Sequence, residues 1–154
     1  MPEITPPVAR TQMLIRRPAS AVYAAFIDPA ITSRFWFSRG SAVLTPGAHV
    51  TWYWDMYGAA AQVEVVALEE HRRIAVRWPT PVEWVFEPRG EEATLVIITA
   101  SGFTGSPDEQ VSRAIDSMGG FSFVLAGCKA WLEHAVELNL VLDHNPDHHV
   151  TGQA

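Results

Sequence analysis

His49-Val50-Thr51-Trp52-Tyr53-Trp54-Asp55-Met56 is the stretch on which the fold turns. Successive side chains of a strand point to opposite faces. With that period, Val50, Trp52, Trp54 and Met56 share one face, while His49, Thr51, Tyr53 and Asp55 share the other. One side is built for a core and the other for water. Downstream the alternation continues. Residues 60–68 set Ala61, Val63, Val65 and Ala67 on the apolar face, residues 73–78 set Ile74, Val76 and Trp78, and residues 82–87 set Val82, Trp84 and Phe86. Residues 93–101 complete the run before Gly102. Glu69-Glu70-His71-Arg72, the prolines 79 and 81, and Arg89-Gly90-Glu91-Glu92 punctuate it. Connections this short join antiparallel neighbours.

Upstream, residues 9–17 read as a first strand, which Pro18 ends because proline cannot donate to a ladder. Ser20 is the expected cap of a helix carrying Val22, Tyr23 and Phe26. Asp28-Pro29 breaks that helix, and Ile31 to Trp36 give a second short turn. The last third changes period again. Ser106 is placed to cap a helix whose first turn is Pro107-Asp108-Glu109. Met118, Phe121, Leu125, Cys128, Leu132 and Ala135 step by three and four, with Ser122, Lys129, Glu133 and Glu137 opposite. Gly119-Gly120 is expected to bend or restart this helix. The order strand, helices, strands, long helix predicts an α+β domain in which a curved antiparallel sheet wraps the C-terminal helix. Residues 1–8 form an N-terminal arm, 9–142 the domain, and 143–154 a polar, flexible tail.

Composition excludes several classes. The chain has 154 residues, 48% hydrophobic and 18% charged, which is globular rather than disordered. A net charge of −6 and scattered bases disfavour nucleic acid and anionic membranes. No apolar run is long enough to span a bilayer, and the N-terminus lacks the pattern of a signal peptide, so a cytoplasmic location is expected. A lone Cys128 rules out an internal disulfide and any multi-cysteine metal site. Six Trp, seven Phe and three Tyr are a heavy aromatic load for one domain.

With the elements in place, the chain resembles the START-like (SRPBCC) superfamily, whose fold is the helix-grip, and within it the AHSA-type branch named for activators of heat-shock protein 90 ATPase. The resemblance covers about residues 10–140. It rests on Arg17-Pro18-Ala19-Ser20-Ala21-Val22-Tyr23-Ala24-Ala25-Phe26, then Asp28-Pro29, Arg34-Phe35-Trp36 and Pro46-Gly47. Further on it rests on Arg73 to Trp78, Ala93-Thr94-Leu95-Val96, Gly120-Phe121 and Leu132-Glu133-His134. The family often carries a His or Glu near the end of the threonine-led strand, where this chain has Ala100. The resemblance implies a cavity between the concave sheet face and the last helix, suited to an apolar molecule. It also implies chaperone regulation in the stress response for some members, and cyclase chemistry for others.

Trp36, Trp52, Trp54, Met56, Trp78, Trp84, Phe86, Met118 and Phe121 are the expected lining of such a pocket, because large aromatics on consecutive inward faces either fill a core or wall a cavity. No catalytic residue, metal or cofactor is expected. Asp55, Glu64 and His49 fall on outer strand faces, His71 in a charged turn and His134 at the helix rim. Cys128 reads as a packed hydrophobe. Arg34, Arg39 and Arg77 could anchor a carboxylate at a pocket mouth but read more simply as exposed cations. His144, Asp147, His148 and His149 on a tail make a poor closed metal site. The expected partner is therefore a small apolar or amphipathic ligand. A chaperone partner and an enzyme acting on a hydrophobic substrate stand as alternatives. The chain is read as a monomer or homodimer, and Trp or Phe on the outer sheet face would argue for the dimer.

Overall fold

A computed structural model describes residues 5–148. The first half of the expected N-terminal arm and the tail from His149 onward lie outside the described residues. Seven strands form one antiparallel sheet: β1 (Ala9–Ile15), β2 (Arg39–Gly40), β3 (His49–Trp54), β4 (Ala59–Glu69), β5 (Arg73–Trp78), β6 (Thr80–Pro88) and β7 (Thr94–Ala100). Their order across the sheet is β1-β7-β6-β5-β4-β3-β2. Short turns explain the consecutive neighbours. Two short helices, α1 (Ala19–Ile27) and α2 (Pro29–Thr32), connect β1 to the far edge. The long helix α3 (Pro107–His134) packs along β1, and a five-residue helix α4 (Leu140–His144) follows. This is the α+β architecture that the pattern predicts, and the helix-grip arrangement that the resemblance implies.

The inward faces follow the expected alternation with one interruption. Val65 pairs with Val76, but the register then shifts, so that Ala67 pairs with Ala75 and Leu68 with Ile74. A bulge adds one residue to β4, which flips the phase and increases the bend. Ala67, expected inward, therefore shares the outer side with Ala75, and Leu68 packs against the core instead.

The caps match the chemistry at one helix and not at another. Ser106 accepts from the Glu109 N–H, and Glu109 reaches back to the Ser106 N–H, closing a capping box on α3. At α1 the cap position is Pro18, without a side-chain bond, so Ser20 lies inside the helix and does not cap it. The α3 helix also runs unbroken through Gly119-Gly120. Its end differs slightly from expectation: Ala135 turns left-handed at φ 54°, leaving Glu137 outside the helix.

One face of α1 and α2 seals the core beside β6. Tyr23 and Phe26 meet Phe86 edge-on or tilted, at 5.6 and 6.0 Å between ring centres. Thr32, fully buried, satisfies its hydroxyl by donating to the carbonyls of Ala25 and Asp28. Large exposed apolar residues among those described are Val, Ile, Leu and Met, with no Trp or Phe among them.

Candidate functional site

Between α3 and the sheet lies a cavity of about 400 Å³. Its sheet wall begins at Val82 and Ala100, which are paired across β6 and β7. One row further along, Trp84 pairs with Ile98, and the space closes. The small Ala100 side chain thus leaves room exactly where the neighbouring row is filled by an indole. The helix wall comes from Ser117, Gly120, Phe121 and Val124, three or four residues apart along one stripe, with Phe123 beside it. Phe103, just past β7, and the β5–β6 turn at Pro79-Thr80 complete the side walls.

The aromatic residues divide into two groups. Trp36, Trp78 and Phe121 line the cavity. Trp52, Trp54, Trp84 and Phe86 are buried in the core behind it and are not part of its lining. Trp36 joins the groups, with ring centres 4.9 Å from Trp52, 5.6 Å from Trp78 and 5.9 Å from Phe121. Trp54 and Trp78 stack at 5.5 Å with planes 11° apart. Rings in such offset and edge-on contacts hold one another in place. The buried Nε1 of Trp84 has no hydrogen-bond partner among the described residues, which leaves its desolvation uncompensated.

Beyond those four, two more of the expected lining residues, Met56 and Met118, are also elsewhere. The strand alternation ends at Trp54, and a 3₁₀ turn over Asp55–Tyr57 re-aims the next side chains. Tyr57 therefore lines the cavity, while Met56 packs at the core's edge, where its sulfur accepts from the Ser38 hydroxyl at 3.8 Å. Met118 is 46% exposed. In the first half of α3 the buried stripe narrows to Ala114, half-buried Ser117 and Phe121, and Met118 falls beside it.

The main surprise is the C-terminal segment. Part of the stretch expected to be a free tail is α4, and Val141, His144 and Asn145 line the cavity mouth. The Tyr57 hydroxyl donates to the Val141 carbonyl, and the His144 ring lies 4.9 Å from that of Phe123. Nothing in the period of residues 140–148 announces this, since five residues are too few to show one. Tyr57, Phe123 and Val124 had a weak signal, being apolar neighbours of residues already assigned inward.

Among the described residues no Asp, Glu, Lys or Arg lines the cavity. Asp55 pairs with Arg39 and Glu64 with Arg77, all on the exposed side. Arg39 also lies over the Tyr53 ring, and Arg34 over Trp131 with Glu137 nearby. These three arginines are thus engaged away from the cavity. His49 and His134 are exposed, and His71 meets Tyr23 edge-on at the surface. Burial pushes the Cys128 thiol far above its ordinary range, so it is held neutral. Among the described residues no cluster of His, Cys, Asp and Glu could hold a metal, and no helix is long and apolar enough to cross a membrane. What remains is a largely apolar chamber with hydroxyl, imidazole and amide groups at its exposed mouth.

A seven-stranded antiparallel sheet gripping a long C-terminal helix over such a chamber defines a START-like domain. The model of the family described as activator of Hsp90 ATPase homolog 1-like protein matches residues 16–133, and the chain belongs to that family. Among solved structures it is similar to protein SSP2350 from Staphylococcus saprophyticus, with 27% identity, a TM-score of 0.76, and coverage of 85% of this chain and 95% of that one. It also resembles in fold the Aha1 dimer from Colwellia psychrerythraea, at 15% identity and a TM-score of 0.70, covering 82% and 96%. DynU16, from the dynemicin biosynthetic locus, shares the fold at 20% identity and a TM-score of 0.72, over 84% of this chain and 48% of that one. No curated protein matches the chain.

Proposed function

We propose that this protein binds a small apolar or amphipathic molecule in the chamber between α3 and the sheet. The observation that carries this reading is a cavity of about 400 Å³ with aromatic walls and no charged lining residue. That size falls within the range of small-molecule sites, whose few polar groups set orientation. The ligand's apolar body would lie against Trp36, Trp78 and Phe121, and its polar end would face Ser117, His144 and Asn145. Catalysis would need an acid, base or nucleophile within reach of the bound molecule, and among the described residues the chamber offers no carboxylate, lysine or cysteine, only the His144 imidazole and the hydroxyls of Tyr57, Thr80 and Ser117. Binding is the simpler use of this geometry. Because Trp36 and Trp78 are wall residues, titration with apolar compounds should give a saturable change in intrinsic fluorescence. A flat response across a broad panel would refute the reading.

The family match favours a second reading, in which the domain regulates a chaperone ATPase. It predicts complex formation with heat-shock protein 90 and a change in its ATPase rate. No complex and no change in rate would remove it.

A further inference from the structure

The outermost strand β1 pairs with β7 on one side only. On its open side one stripe of α3 reaches it three times. The Ser122 hydroxyl bonds to that of Thr11, Lys129 donates to the Leu14 carbonyl, and Glu133 accepts the Arg16 N–H. Followed back toward the N-terminus by steps of four and three, the same stripe is Met118, Ile115 and Val111. Its chemistry changes there, to apolar side chains that are 46%, 62% and 48% exposed. A helix rises about 1.5 Å per residue and a strand about 3.3 Å. Met118 is therefore about level with Ala9, and Ile115 with the exposed Val8. The strand edge changes in the same place. Leu14 C=O and Arg16 N–H point to the open side, and the backbone groups of every second residue of an antiparallel strand point the same way. Those of Arg10 and Gln12 thus face the open side too, and both residues are exposed. Beside them the stripe carries no N–H, hydroxyl or carboxylate to meet them. A bare strand edge next to an apolar helix face is what an added strand covers, with its backbone and its side chains together.

We propose that the start of β1 and the first half of α3 dock an extended segment of a partner protein as a further antiparallel strand, in which apolar side chains alternate with acidic ones. The acid follows from Arg10. Thr11 faces α3, so Arg10 stands on the outer face of the sheet. Arg39, Arg73 and Arg77 on that face each meet a carboxylate, whereas Arg10 meets none among the described residues. A residue directly opposite Arg10 on the added strand shares its face, so a carboxylate there completes the pair. The residues on either side of that acid turn toward Met118 and Ile115 and are apolar. A second copy of β1 fits less well, because a two-fold axis at the middle of the open stretch sets Arg10 against Arg10.

The probe is a fluorescein-labelled peptide of about seven residues in which valine and glutamate alternate, compared with the same peptide carrying lysine for glutamate. Anisotropy titration of the full chain at low salt should show the glutamate peptide binding about tenfold or more tightly. Amide exchange at Arg10 and Gln12 should slow when it binds. Ile115→Glu should weaken binding about tenfold or more. So should Gln12→Pro, which removes an outward N–H and leaves the ladder to β7 intact. Val66→Glu, at a comparably exposed valine of β4, should leave the affinity unchanged. If the proline variant does not fold, Arg10→Glu serves, since it should reverse the preference between the two peptides. Equal affinity for both peptides, no binding of either, or binding that Ile115→Glu leaves untouched would overturn the proposal. So would a dimer in sedimentation that Ile115→Glu disperses, since a second copy would then hold the surface.

Discussion

The ammonium of Lys129 lies 2.7 Å from Glu133 Oε2, one helical turn away, and between them the two residues close the open edge of the sheet. Lys129 also donates to the Leu14 carbonyl at 2.8 Å, and Glu133 accepts the Arg16 N–H at 2.9 Å. Leu14 O and Arg16 N are groups that an outer strand would otherwise leave for another chain to pair with. A helix thus supplies, through side chains, the donor and acceptor that a further strand would have supplied through its backbone.

Removing one member of this arrangement should cost more than its surface position on a helix would suggest. Glu133→Ala leaves the Arg16 N–H without its acceptor and a half-buried Lys129 with only the Leu14 carbonyl, and a loss of about 1–3 kcal/mol is expected. Urea unfolding reports it, and a simultaneous Lys129→Met change should recover part of the loss.

The same carboxylate gives acid sensitivity of known sign. Burial raises the Glu133 pKa, but the Arg16 N–H and the Lys129 ammonium outweigh it, and the net shift is downward. Its contribution to stability is therefore complete above the ordinary Glu value of about 4.3 and is lost as pH falls through the lower folded value. Unfolding midpoints measured from pH 6 down to about 3 should fall less steeply in Glu133→Gln than in the native protein. Parallel curves would contradict this.

The glycines of α3 should answer oppositely to the same substitution. Gly127→Ala forces a methyl group to 3.1 Å from Phe35 and should destabilise by about 1–3 kcal/mol. Gly119→Ala meets nothing and should stabilise by roughly 0.5–1 kcal/mol. Thermal melts of the two variants suffice.

Cys128 should behave as core rather than as a reactive thiol. It is fully buried, and burial holds the thiol neutral. A thiol reagent should label it only as fast as the protein unfolds, and Cys128→Ala should retain ligand binding. Rapid labelling of the native fold would show that α3 opens locally.

Tyr57→Phe removes the hydroxyl that donates to Val141 and should loosen α4 at the cavity mouth. Hydrogen exchange in residues 140–148 should quicken while that of β5 to β7 stays unchanged. The expected cost to global stability is about 0.5–1.5 kcal/mol.

The strands, the long helix and the division of faces were legible because each rests on a repeated period. Val50, Trp52 and Trp54 or Phe121, Leu125 and Cys128 each confirm their neighbours. Legibility failed where one residue breaks the repeat. The bulge after Val65 reversed Ala67, and the 3₁₀ turn exchanged Met56 for Tyr57. The division of the tryptophans into wall and filling was not legible at all. Trp78 and Trp84 share an inward phase, and only the size of their neighbours across the sheet decides that one meets space and the other does not. The role of α4 was hidden for a different reason, since its placement depends on Tyr57 and Phe123, which are distant in sequence.

The stacked pair Trp54 and Trp78 has an optical consequence. Two indoles 5.5 Å apart are close enough for their electronic transitions to couple. Only Trp78 of the two lines the chamber. A guest that displaces its ring by a small angle would alter the coupling, so the circular dichroism of the unlabelled protein carries a built-in readout of whether the chamber is occupied.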